Sequence, residues 1–367
     1  MPTSLFLNPL RRSATAALVA LVLVSLAVRP ASAVPIEWVT VGDPGNVPAT
    51  ITAPAVGPVG GVADEFRIMK YEWTNSLYVD FLNAVDPDGT NPNGVYNANM
   101  RTNARGGITN TGTTNGSRYA SKANMADKPV VYASWLNAAR VANWMHNGAQ
   151  TYGSSDASAT APQNTGAYTL GTGTSASTSP PRNAGAQYFL PSQDQWYKAA
   201  YYKGGGTNAG YWLYATQSDT APTAVNATAV GSGSSGGASP VTSGNFANYL
   251  SAATWGGRAA ATTVGTNGGP SAYGTFDMSG NVSEWNDWYY EFYAVGDRGF
   301  RGGDWLSDSS FTSSSYWTAY DSAYATNYLG FRLASLIAVP EPSTCAMALA
   351  GLACGGFSIW RRRRTRA

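Results

Sequence analysis

Glycine and proline set the grain of this chain. With 41 Gly and 20 Pro among 367 residues, most stretches between residues 36 and 335 meet a turn signal before a long element can form. Only three segments carry an apolar repeat at helical spacing, and each opens on a capping residue. Thr74 or Asn75 caps NSLYVDFLNAV, with Leu77, Phe81, Leu82 and Val85 on one side. Ser134 caps WLNAARVANWMHNG, in which Trp135, Ala138, Ala142 and Met145 recur and Gly148 ends the run. Ser192 and Gln195 form a capping box before WYKAAYYKGGG, which Gly204 stops. Short extended pieces such as EFRIMKYEW surround these helices, and residues 151–182 and 218–243 read as long Gly/Ser/Thr/Ala-rich surface loops. The pattern predicts an α+β fold that is loop-rich, with little regular secondary structure and no sign of a parallel sheet.

The two ends stand apart. Arg11 and Arg12 precede an apolar run from Ala14 to Val28, and Ala31-Ser32-Ala33 fits a small-residue cleavage site, so residues 1–33 read as a secretory signal peptide. Residues 34–338 form the body. Residues 339–367 hold Pro340-Glu341-Pro342, an apolar run from Cys345 to Trp360, and a tail with Arg361 to Arg364 and Arg366. That apolar run reads as a short transmembrane segment held by cytoplasmic arginines. Motif, apolar run and basic tail in this order resemble the PEP-CTERM sorting signal. The resemblance implies recognition by an exosortase-type membrane protease, with the chain exported and sorted to the cell envelope or released outside the cell.

The ends also account for the basic balance of the whole chain. Residues 34–339 carry 15 Lys and Arg against 20 Asp and Glu, a net −5, so nothing here points to nucleic acid. Both cysteines, Cys345 and Cys354, lie in the C-terminal run, and the sole histidine is His146. One imidazole without a thiol excludes the usual zinc and copper sites. His146 itself sits at a helix end beside Gly148, where a cap is the plainer reading.

FDMSGNVSEWNDW, residues 276–288, places Asp277 and Glu284 on either side of a Gly-Asn turn. Hard carboxylates around exposed carbonyls suit calcium, which takes six to eight oxygens. The competing reading is a turn capped by Asp277, with Glu284 and Asp287 solvated.

The segments FRIMKYEWTNSLYVDFLNAV, KPVVYASWLNAARVANWMHNG, YFLPSQDQWYKAAYYKGG, YGTFDMSGNVSEWNDW, GFRGGDW and LGFRLAS are similar, in this order, to sulfatase-modifying-factor domains, the formylglycine-generating enzyme family. The resemblance covers nearly all of residues 36–336 and implies a C-type-lectin-like fold. It implies a calcium site on Asp277, the carbonyls of Gly280 and Val282, and Glu284. A second set would use Asn248 and the Tyr249 carbonyl, but its downstream acid has no clear equivalent. The family's enzymes oxidise a sulfatase cysteine with copper held by two cysteines. Here Asp304 replaces the serine of the Gly-Gly-Ser stretch, and Ser307 and Thr312 stand where the cysteines belong. Hydroxyls do not replace the soft thiolates cuprous copper requires.

The expected function is therefore a non-catalytic binding or extracellular-matrix protein holding a peptide or glycan. Trp305, Trp317 and Asp308 are its candidate groove residues, while Trp135, Trp144, Trp196 and Trp285 are assigned to the core. The alternative is a cysteine-independent oxidoreductase of the same family acting on a protein or secreted metabolite. Its acid–base groups would be Asp304, Asp308 and Glu291.

Overall fold

The computed structural model describes residues 36–50, 57–173, 180–290 and 296–335. The segment expected to be a signal peptide, Glu291 and the whole sorting signal, Pro340, Glu341 and Pro342 included, lie outside the described residues.

Three main helices form at the three predicted places. Helix α1 spans Asn75–Val85, and the Thr74 hydroxyl accepts a hydrogen bond from the Leu77 N–H. Helix α2 spans Trp135–His146 under a capping box made by Ser134 and Asn137. Helix α3 spans Gln193–Tyr201 under the box made by Ser192 and Gln195. These caps satisfy N–H groups that a helix start leaves unpaired. Among the described residues no helix is long and apolar enough to cross a membrane.

Two sheets position the rest. The first joins β1 (Trp38–Val41), β2 (Phe66–Met69) and β7 (Ala334–Ser335), with β2 in the middle and both neighbours antiparallel. The second has the order β5-β4-β3-β6, from β3 (Ser283–Tyr290), β4 (Asp297–Arg301), β5 (Thr318–Asp321) and β6 (Leu329–Phe331). Here β3 pairs antiparallel with β4 but parallel with β6, matching Glu284 to Arg301 on one side and to Gly330 on the other. The parallel pair departs from the expectation of no parallel sheet. The sequence hid it because β6 is only three residues long and carries no crossover helix to announce it.

Strand β3 holds the helices through indole N–H groups. Trp135 of α2 donates to the Asn286 carbonyl at 3.1 Å, and Trp285 donates to the Ala133 carbonyl at 3.1 Å. Trp196 of α3 donates to Glu284 Oε2 at 2.8 Å. All three indoles are fully buried and Trp144 is nearly so, as assigned from the sequence. Each ring adds core area while its one polar atom finds a partner.

The turn before β3 runs through left-handed backbone at Asp277, Gly280 and Asn281. Gly280 has φ +93°, and a Cβ there would stand 2.4 Å from the Asn248 carbonyl oxygen. Gly257, at φ +79°, has nothing within 4 Å of the same position. Gly280→Ala should therefore destabilise the domain well beyond the roughly 1–2 kcal/mol that left-handed strain alone costs, whereas Gly257→Ala should cost only that strain. Urea unfolding of the two variants checks the difference.

Candidate functional site

The carboxylate of Glu284 points inward from β3. Gly330 faces it on β6, and Arg332, two residues further on, falls on the same side of the strand. Arg332 Nε donates to Glu284 Oε2 at 2.7 Å and Nη2 donates to Oε1 at 2.6 Å. Neither side chain is exposed. The remaining guanidinium hydrogens reach the Met69 and Lys70 carbonyls at 3.1 Å and the Phe276 carbonyl at 2.8 Å.

Asp277 is also spoken for. Its Oδ2 accepts from the Gly265 N–H at 2.5 Å, and its Oδ1 accepts from the Asn267 amide at 2.8 Å. Every carboxylate oxygen of the expected calcium set thus already accepts from a donor, and a guanidinium occupies the position a cation would take beside Glu284. The residues as folded do not fit a calcium ion. Among the described residues no group of three or more His, Cys, Asp or Glu is arranged to hold a metal. In the second expected set, the Asn248 amide donates to Ala260, Thr262 and Asn281, and the Tyr249 carbonyl accepts from the Ala252 N–H. No carboxylate joins them in these contacts.

A carboxyl the sequence analysis did not single out completes the cluster. Glu72 is fully buried, and its Oε1 accepts from the Asn281 amide at 2.9 Å. Burial and the neighbouring Asp277 carboxylate push the Glu72 carboxyl well above its usual range, while its Oε2 has no hydrogen-bond partner among the described residues. The sequence signal for it was weak, an acid between Tyr71 and Trp73 in EFRIMKYEW, which also carries Glu65, Arg67 and Lys70.

A cavity of about 490 Å³ has Ser283, Asp304, Ser307 and Asp308 among its polar lining. Asp304 Oδ1 accepts from the Leu306 and Ser307 N–H groups at 2.9 and 3.2 Å, and Oδ2 accepts from the Ser283 hydroxyl at 3.2 Å. The Asp304 N–H donates in turn to the Ser307 hydroxyl at 3.2 Å. Burial raises the Asp304 carboxyl above its ordinary range. Thr312 is fully buried and donates to the Ser309 carbonyl. The hydroxyls at the two family cysteine positions are therefore engaged in holding turns, and Thr312 does not line the cavity.

The structure places the expected groove residues unevenly. Asp308 lines the cavity. Trp305 does not: it is 4% exposed, its indole donates to the Asn327 carbonyl, and Arg105 lies 4.5 Å over its ring. Trp317 packs against Trp288 and Tyr290 instead of lining the cavity. Proximity in sequence to a polar run was a poor guide, because alternate positions turn to opposite sides. The apolar rim comes from Leu250, Leu306, Phe311 and Tyr320, which are four of the eight exposed large hydrophobics among the described residues. His146 is absent from this lining, and its Nδ1 accepts from the Gln187 N–H at 3.1 Å.

The Sulfatase-modifying factor enzyme 1-like domain model matches residues 47–337. The chain belongs to this family. The described fold is accordingly the family's loop-rich α+β fold. A PEP-CTERM protein-sorting motif matches residues 338–364, which implies export, attachment to the cell envelope and processing by an exosortase. No curated protein matches the chain. Among solved structures, variable protein 1 of Treponema denticola is 16% identical, covering 82% of this chain and 95% of its own, with a TM-score of 0.47. CarF is 22% identical over 83% and 99%, with a TM-score of 0.46. PvdO from Pseudomonas aeruginosa is 17% identical over 82% and 94%, with a TM-score of 0.43.

Glu284 and Glu72 should respond to the same substitution with opposite signs. Glu284→Gln leaves Arg332 buried without its charge partner and should cost about 3–5 kcal/mol. Glu72→Gln retains an acceptor for Asn281. A carboxyl whose folded pKa is raised loses stability as pH climbs above its unfolded value of 4.5, since only the unfolded chain can then ionise it freely. Glu72→Gln should thus stabilise the protein at pH 7, with the gain vanishing below about pH 4, in thermal unfolding across pH. In the same assay, chelation with EDTA should leave the parent's midpoint unmoved.

Proposed function

We propose that this family member is a non-catalytic binding or matrix protein that presents the groove beside Asp304 to a peptide or glycan at the cell envelope. The groove's chemistry carries the reading. Its lining holds two carboxylates, hydroxyls and aromatic or aliphatic side chains, with no thiol, imidazole or amine. The hydroxyls of Ser307 and Thr312 are poor ligands for cuprous copper, and both are committed to local turns.

The rim supports a binding role as well. Leu250 is 54% exposed with φ +59°, and Ser251 follows at φ +55°. Two successive non-glycine residues in left-handed backbone carry strain that the surroundings must impose. Here the Leu250 and Ser251 N–H groups donate to the Ser307 and Trp305 carbonyls, at 2.8 and 2.7 Å. The strain holds an apolar side chain outward at the mouth of the cavity. An exposed apolar rim around hydrogen-bonding groups is the composition of a recognition site. In this reading the loop from Asp277 to Glu284 is built on Arg332 and needs no calcium.

Two assays on the full-length chain in mild detergent test this. Incubation with a cysteine peptide of sulfatase type, copper and oxygen should yield no formylglycine by mass spectrometry. Formylglycine would overturn the reading. Leu250→Ser with Phe311→Ala should weaken retention on the producing cell's extracellular polymer about tenfold or more, the scale of losing central apolar contacts. Unchanged retention would remove the groove from the function.

A further inference from the structure

A second cavity, of about 320 Å³, is lined by Pro181, Arg182, Asp287, Tyr289 and Arg298, none of which lines the groove beside Asp304. Two guanidiniums meet there in a body that is acidic as a whole. Their roles differ. Arg298 is 2% exposed, and both of its terminal nitrogens are bonded within the fold, only its Nε lacking a partner. Its Nη1 donates to Asp287 Oδ1 at 3.0 Å and to the Asp287 carbonyl at 3.1 Å, and its Nη2 donates to the Pro180 carbonyl at 2.6 Å. Its plane lies 4.0 Å over the Trp135 ring.

Arg182 has no such commitment. It makes no ion pair among the described residues, and its Nη1 is buried without a hydrogen-bond partner. Its guanidinium rests 4.0 Å over Phe189, which fixes the plane and leaves the donor edge for something else. The guanidinium lines the cavity and makes no hydrogen bond to any other described residue, so an anion entering the cavity meets an uncommitted cation. Asp287 neutralises one of the two arginines, so the cavity retains one positive charge. That surplus suits a monoanion; a dianion would bring unbalanced negative charge up to Asp287.

The mouth adds a ring. Tyr289 pairs across the sheet with Arg298, beyond the register shift that interrupts β3 after Trp285. It is 37% exposed, and the Arg298 guanidinium lies 5.5 Å from its ring. A half-exposed tyrosine at the edge of a small cavity offers an apolar face to a flat or chair-shaped ring, with a hydroxyl at the tip.

We propose that this cavity binds a ring-borne carboxylate of the uronic-acid type, with the carboxylate on Arg182 and the ring on Tyr289. A planar carboxylate matches the donor fork of a guanidinium. The volume lies at the lower end of the range for small-ligand sites, which points to a single sugar unit or the end of a chain. The site is separate from the groove of the proposed function and does not depend on it.

The test is titration calorimetry of the full-length chain in mild detergent with sodium glucuronate, glucose and sodium acetate as probes. Glucuronate should bind saturably and glucose should not. Acetate, which carries the charge without the ring, should bind more weakly than glucuronate. Arg182→Gln should weaken glucuronate about tenfold or more, as expected for one charge-assisted hydrogen bond. Tyr289→Ala should bring glucuronate down to the level of acetate. Equal binding of glucose and glucuronate, no saturable glucuronate binding, or an Arg182→Gln protein that binds as the parent does would each overturn the proposal. Tyr289→Ala keeps the test decisive if Arg182→Gln fails to fold, because acetate binding should survive in it.

Discussion

Glu284 and Arg332 lie 2.6 Å apart with neither side chain exposed, and through that pair the two sheets and a helix are tied together. Arg332 holds the end of β2 through Met69 and Lys70 and the turn before β3 through Phe276. Glu284 holds α3 through Trp196. A buried ion pair adds little net stability when compared with a well-packed apolar substitute, because both charges lose their hydration. Its value here lies in position. The five guanidinium bonds reach acceptors on three segments, so the pair specifies how those segments meet. In a domain whose regular elements are short, fixed points of this kind do the work that long strands do elsewhere.

The same economy holds the groove's lining in place. Asp304 and Ser307 bond reciprocally across one turn, and Asp304 reaches back to Ser283 on β3. Hydroxyl and carboxylate groups thus brace a loop that thiols and copper occupy in the family's enzymes. The concavity so framed carries an apolar rim of Leu250, Leu306, Phe311 and Tyr320. The cavity at Arg182 draws on another part of β3. There the strand's register shift carries Tyr289 outward while Asp287 stays with Arg298. One strand therefore serves the buried cluster at its start and the second cavity near its end.

Local signals were legible wherever the physics is local. Caps at Thr74, Ser134 and Ser192 depend on residues three positions apart, and all three helices begin where those residues sit. The four core tryptophans followed from the sheer area of an indole. Glu284 was singled out as a hard carboxylate beside a Gly-Asn turn, for calcium or for solvent, whereas the fold buries it against Arg332. The sequence separation between Glu284 and Arg332 is 48 residues, and nothing near either names the other. Trp305 was misplaced because a one-position change of direction decides between core and groove, and turn geometry sets that direction.

By itself the sequence determined the helices, the α+β class, the separation of a mildly acidic body from its two terminal segments, and the absence of thiol or imidazole chemistry in the groove. These depend on composition, on short-range spacing and on which donor atoms exist at all. The tertiary structure alone decided that Arg332 neutralises Glu284, that the buried Glu72 comes to lie beside Asp277, and that Arg182 and Tyr289 come to line one cavity. Each of these joins residues far apart in the chain, and the energy of a charge or hydrogen bond depends on neighbours and burial that only the folded packing supplies.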